Sequence, residues 1–109
     1  MSTVVHVIAT CTVKEGTIDQ FVQAFREVQP LVLAEEGAIE YNLALDIASG
    51  IPIQIPLRTN VATIVEKWAS LEHLHKHFQA PHMGEFMGKI KDISQGTTLQ
   101  VLEGSISRL

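Results

Sequence analysis

The residues most able to do chemistry in this chain are its histidines, and His77 is the first candidate among them. It stands beside Phe78, nine residues after Trp68, in a stretch with helical spacing. A neutral imidazole in such a place accepts a proton near neutral pH; the plain alternative is a half-buried histidine bonded to backbone. Trp68 offers a flat apolar wall and a single indole donor, or else a core anchor at the sheet edge. His82 follows Pro81 near a helix start, where the dipole lowers an imidazole's proton affinity. His73 and His77 lie four apart on one helix face, with His75 between them, but Glu72 projects from a different face and no thiolate is near. No metal site is expected from that set, since metal centres add carboxylate or thiolate ligands and a satisfied second shell. Nothing matches a Ser/His/Asp array, a phosphate loop or a dinucleotide fingerprint.

Alternating and helical periodicities define the elements that must carry these groups. Residues 3–14 alternate as a strand, with Val5, Val7, Ala9, Cys11 and Val13 on one face and Val4, His6, Ile8, Thr10 and Thr12 on the other. The second face is mixed and is expected to line something wetter than a plain helix contact. After the Glu15-Gly16 turn, Thr17 with Gln20 three residues on matches a capping box. Ile18, Phe21, Val22, Phe25 and Val28 form one apolar helical stripe; Pro30 is expected to end or kink it near Gln29, the chain continuing helical to Glu36, with Gly37 as the stop.

A second strand covers 38–46, with Tyr41 on the face opposite Asn42, so that the two cannot line one pocket. Alternation does not decide which face is the lumen. Residues 47–60 read as a long loop with Ile51, Ile53 and Ile55 between its Gly/Pro breaks, and packing against a second subunit would account for so apolar a loop. A third strand covers 61–68, Ser70 caps a helix bearing Leu71, Leu74 and Phe78, and Pro81 opens another on which Met83, Phe86, Met87 and Ile90 repeat. A last strand covers 97–103. The order β-α-β-β-α-(α)-β is the split βαβ arrangement of an α+β, ferredoxin-like sandwich. One face of such a sheet is bare, and two subunits joining bare faces would cover it and leave a cavity between the sheets.

The bulk numbers agree with one domain over residues 1–109: 46% of residues are hydrophobic and 18% charged, enough to build a core. The net charge of −4, with eight Lys and Arg scattered among twelve acidic residues, speaks against nucleic acid as partner. No stretch approaches the ~20 apolar residues of a membrane span. The single Cys11 fits a reducing compartment, so a soluble cytoplasmic protein is expected.

Three stretches in order, Glu35-Glu36-Gly37-Ala38-Ile39-Glu40-Tyr41, Val65-Glu66-Lys67-Trp68-Ala69-Ser70 and His77-Phe78-Gln79-Ala80-Pro81-His82, resemble the signature of the antibiotic biosynthesis monooxygenase domain, and the likeness extends over about residues 4–104. Within that family the chain looks closest to the bacterial quinol monooxygenase branch. The resemblance implies a dimeric α+β barrel that oxygenates a quinol or polyphenol-type aromatic with O2 and no cofactor. His77 matches the family's helix histidine and is expected as the proton acceptor; Trp68 matches its tryptophan and is expected as the stacking wall. His6, Asn42, His82, Phe86 and Met87 are the further candidates for substrate binding. Two positions depart from the pattern. The haem-degrading members carry an Asn in the first strand, where Ile8-Ala9-Thr10 stands here. The antibiotic-tailoring members carry one four residues before the tryptophan, where Ile64 stands. The same fold also houses isomerases of small carbonyl compounds and non-catalytic binding or stress proteins, so fold alone does not choose among these.

Overall fold

The computed structural model describes residues 3–104. Its elements are β1 (Val5–Val13), α1 (Ile18–Leu33), β2 (Ala38–Leu45), β3 (Val61–Trp68), α2 (Leu71–His77), α3 (Pro81–Ile90) and β4 (Ser94–Glu103). The four strands form one antiparallel sheet in the order β2-β3-β1-β4. Each βαβ unit therefore has a strand of the other unit slotted between its own two. This is the ferredoxin-like α+β fold expected from the order of elements.

The burial string of β1 alternates strictly, with Val5, Val7, Ala9, Cys11 and Val13 buried and the intervening residues half-exposed. The buried set faces the helices. From α1, Phe21, Ala24, Phe25, Val28 and Val32 pack onto it; from α2 and α3, Leu74, Phe86 and Ile90 complete the core. Phe25 stacks on Tyr41 at 5.1 Å and Phe21 meets Phe86 edge-on at 5.7 Å, so the α1 stripe locks both β2 and α3.

Three details differ from the sequence expectation. Helix α1 runs unbroken through Pro30 to Leu33. The missing N–H forfeits one bond in the last turn, while buried Val28 and Val32 on either side hold that turn to the core. Thr17 does not make a capping box: its hydroxyl donates to the Lys14 carbonyl at 2.6 Å, stabilising the preceding turn instead. Strand β4 begins three residues earlier than expected, at Ser94, because a register shift opposite Thr12 and Val13 lets the chain stay paired. Ser70 caps α2 as expected, accepting from the His73 N–H at 3.2 Å.

Helices cover β1, β2 and β3 on one side only. The opposite sheet face carries His6, Ile8 and Thr10 from β1, Thr63, Val65 and Lys67 from β3, Asn42 from β2 and Leu102 from β4. The long β2–β3 loop is closed at its base by a bidentate pair, with Arg58 Nε and Nη2 each 2.9 Å from Asp46. Gln54 ties its middle to Ser49 and to the Ile47 carbonyl. The loop is thus shaped without a core of its own, and Ile47, Ile51, Ile53, Ile55 and Leu57 remain exposed.

Gly37 connects α1 to β2 at φ +83°, and a Cβ there would sit 2.3 Å from Cγ of His73. Left-handed backbone costs an ordinary residue roughly 1–2 kcal/mol before any clash is counted. Gly37→Ala is expected to lower unfolding stability by at least about 2 kcal/mol, read from urea midpoints. Wild-type stability in that variant would show that the turn relaxes.

Candidate active site

A cavity of about 320 Å³ lies between the sheet and α2/α3, within one chain. Its walls are mostly apolar: Ala9, Ile64, Met83, Phe86, Met87, Ile90 and Leu99. Five side chains bring heteroatoms of different chemistry to it, Cys11, Tyr41, Glu66, His77 and Thr97; among the described residues no Lys or Arg lines it. An apolar chamber of this size with a few convergent polar groups is the usual form of a small-molecule site. It opens past β4, whose cavity-side residues no helix covers, and exposed Phe78, Met87 and Leu99 form an apolar rim.

His77 is 1% exposed, and its ring is held from two sides. Nδ1 lies 2.9 Å from Glu35 Oε2, and the ring packs on Trp68 with centroids 4.7 Å apart. A carboxylate accepts, so Nδ1 carries the hydrogen and Nε2 presents its lone pair. No wholly buried side-chain nitrogen or oxygen among the described residues lacks a partner. Nε2, which has none, therefore keeps its access to the cavity that His77 lines. Burial lowers the proton affinity of His77 and outweighs the opposing pull of Glu35, so the imidazole is a free base at neutral pH.

Glu35 is shared. Its Oε2 also meets His82 Nε2 at 2.7 Å, so one carboxylate orients two imidazoles. It comes from the turn after α1, brought to α2 and α3 by the packing of α1 on α3. Its distance of 42 residues from His77 in sequence leaves no local signal of the pairing.

Glu66 is the other acid that sequence reasoning passed over. It is 4% exposed, faces the cavity from β3, and accepts the Trp68 indole N–H at 2.9 Å. Desolvation, with a smaller push from Glu35, raises its pKa to about 7 despite the indole bond. A signal did exist: Ile64, Glu66 and Trp68 share one face of β3, and an acid in that row is out of place unless it is used.

The sequence-predicted residues divide into three groups. His77, Phe86 and Met87 line the cavity. Trp68 and His82 stand one layer back: Trp68 is fully enclosed and supports Glu66 and His77 rather than offering a wall to a guest, and His82 sits behind Glu35. His6 and Asn42 lie on the bare sheet face, away from the cavity, because the covered face of β1 and β2 is the one bearing Ala9, Cys11 and Tyr41. The cavity within the chain thus lies on the face opposite His6 and Asn42. The three neighbouring histidines also part company: His73 bonds Ser70 Oγ at 2.6 Å, His75 is exposed and His77 is in the core. Among the described residues no group of three or more His, Cys, Asp or Glu side chains is placed to hold a metal ion.

The family model described as "Antibiotic biosynthesis monooxygenase" matches residues 4–89, a span that takes in β1, Glu35, Glu66, Trp68, His77 and His82. The chain belongs to that family. Among curated relatives, the "Probable quinol monooxygenase YgiN" of Escherichia coli K12 is 29% identical over 93 residues, 85% of either chain. Two solved structures share the fold. A conserved protein from Methanosarcina mazei Go1 superposes with TM-score 0.77 at 19% identity, over 93% of this chain and 92% of that one. PA3566 from Pseudomonas aeruginosa gives 0.78 at 22%, over 95% and 96%. The family assignment supports a monooxygenase-type oxidoreductase. No helix among the described residues is long and apolar enough to cross a membrane.

The two buried groups make opposite demands on pH. Glu66 holds its proton up to about 7, whereas the unfolded chain releases it near 4.5. The native state binds the extra proton, so stability falls as pH rises through that interval. His77 acts below its ordinary value of 6.5, where the unfolded chain takes a proton that the native state refuses, so stability falls as pH drops. Above pH 7 the unfolded-state titration of His77 is largely complete, and between pH 7 and about 8 the remaining dependence comes chiefly from Glu66. The urea midpoint of the wild type is expected to fall across that window, and that of Glu66→Gln to stay level. Parallel slopes in the two proteins would contradict the buried-acid placement.

Proposed function

We propose that this protein is a cofactor-independent monooxygenase that oxidises a quinol or polyphenol-type aromatic with O2, and that it works as a cytoplasmic homodimer. The observation that carries the reading is His77: an imidazole lining an apolar cavity, its Nδ1 2.9 Å from Glu35 Oε2, which leaves Nε2 as the atom to meet a guest. Such a base takes the proton of a phenolic hydroxyl, and the imidazolium that forms is paired with Glu35. The resulting phenolate is electron-rich enough to reduce O2. In balance, a quinol with a free ring C–H and one O2 give a hydroxyquinone and one water. One oxygen atom enters the ring and the other leaves as water. All four electrons come from the substrate, so none need be supplied from elsewhere. The apolar walls keep solvent from the reduced oxygen. The family and the quinol-type relative support the substrate class.

His77→Ala is expected to slow O2-dependent turnover of a naphthohydroquinone by a factor on the order of 10², with Glu35→Gln intermediate, since it releases the ring from its tautomer rather than removing the base. The measurement is oxygen uptake by metal-free protein, with circular dichroism to confirm that each variant is folded. Turnover undiminished in His77→Ala would refute the assignment, and substrate conversion without oxygen uptake would move the site to isomerase chemistry.

Two features support the homodimer. Among the described residues nothing covers one face of the sheet, and the β2–β3 loop holds Ile47, Ile51, Ile53, Ile55 and Leu57 in the open, with Ile53 92% exposed. A shaped loop that shows this much apolar side chain to water is stable where a second surface covers it. Sedimentation is expected to give twice the chain mass, and Ile53→Asp combined with Ile51→Asp to shift the wild type toward monomer. A wild type that remains monomeric at micromolar concentration would remove the dimer from the proposal.

A further inference from the structure

Trp68 and the cavity leave the carboxyl group of Glu66 with two unlike oxygens. Oε1 accepts the indole N–H at 2.9 Å. An indole N–H only donates, so Oε1 must be the acceptor whatever the charge on the acid. A carbonyl oxygen accepts more strongly than a hydroxyl oxygen, so a proton on Glu66 favours Oε2, which has no protein partner among the described residues and keeps its contact with the cavity.

We infer that Glu66, in its protonated form, is a substrate-contacting residue that donates a hydrogen bond from Oε2 to an oxygen of the guest, so that the site selects an uncharged aromatic carrying two oxygen functions. His77 Nε2 accepts from the hydroxyl of one, and Glu66 donates to the other. The inference deepens the proposed function and rests on it for the role of His77.

The surroundings suit a neutral acid. Facing Glu66 are Cys11 from β1, Tyr41 from β2, Glu35 behind His77, and His77 itself from α2; α3 adds only Met83, Gly84, Phe86, Met87 and Ile90 to the chamber, and β4 adds Thr97 and Leu99. None of these is a lysine or arginine that would hold a carboxylate. Among the described residues, the same absence disfavours guests that bring their own charge. A carboxylated or sulfonated ring would meet Glu66 and the apolar walls without a cation to receive it. The titration of Glu66 near neutrality agrees with this role, since the donor form persists to about pH 7.

The test uses 1,4-naphthoquinone, whose carbonyl oxygens accept and do not donate, so binding is read without turnover. Quenching of Trp68, the single tryptophan, reports occupancy. Wild-type affinity is expected to fall several-fold as pH rises from 6 to 8.5. Glu66→Gln keeps an oxygen for Trp68 and an N–H for the guest. It is expected to bind within about threefold of the wild type's low-pH affinity, without the pH dependence. Glu66→Leu is expected to bind about tenfold more weakly at every pH, and 1,4-naphthoquinone-2-sulfonate to bind more weakly than the neutral quinone. Loss of binding in Glu66→Gln equal to that in Glu66→Leu, or a wild-type pH profile in Glu66→Gln, would overturn the inference. Thermal unfolding of both variants separates a lost contact from a lost fold. Oxygen uptake does not enter the measurement, so failure of the proposed oxygenation leaves this outcome readable.

Discussion

Burying a carboxyl group in an apolar wall is costly, and the bond from the Trp68 indole to Glu66 is what the site is built around. An acid on β3 between Ile64 and Trp68 would otherwise face a chamber of methionine, isoleucine and phenylalanine with no counter-ion among the described residues. The indole satisfies one oxygen, and burial raises the pKa of the group to about 7, so that below neutrality it is held as a neutral acid instead of an unpaired charge. The same tryptophan ring packs on His77. One side chain thereby braces Glu66 on the sheet and His77 on α2, and Glu35 completes the arrangement by choosing the tautomer of the imidazole. Loss of the ring would loosen both groups at once, which is a better reason for a large enclosed aromatic at this position than stacking on a guest.

Much of the fold was legible because its signals are local. Strict alternation marks β1, the Ser70 cap and Pro81 mark the starts of α2 and α3, and Gly37 marks a turn that demands positive φ. The departures at Pro30 and Thr17 have one origin. Local preference was overridden by packing in the first case and by a competing turn hydrogen bond in the second. Neither is written in the neighbouring residues.

The site was less legible, and the reason is geometric. A period of two sorts a strand into two faces without saying which one the helices will cover. A face bearing His6 and Thr10 invites the reading of a polar lumen, yet in this sheet it is simply the side with no helix, and the cavity lies behind Ala9, Cys11 and Tyr41. His77 could be chosen for its residue type and position. Its orientation could not, since Glu35 arrives from 42 residues away. Glu66 lay within reach: it shares its face with Trp68, two residues on, and the indole bond is an i, i+2 contact that alternation alone permits.

A cavity contained within one chain separates two properties that the sequence had joined. Catalytic geometry needs the packing of α2 and α3 on the sheet; covering the bare face and the isoleucine loop needs a second surface. The cavity's mouth, however, runs along β4, where Leu99 and Val101 stand uncovered on the helix side. That strand is the edge of the sheet, next to β1 alone. An apolar strand at the sheet edge beside an open chamber admits a guest readily but leaves one wall wet. On the proposed reading, water exclusion then depends on what the guest itself covers: a flat apolar ring reaching past Phe78, Met87 and Leu99 would seal the opening as it binds, and a small hydrophilic phenol would not. The apolar rim is in that sense consistent with the uncharged aromatic guest proposed for the interior.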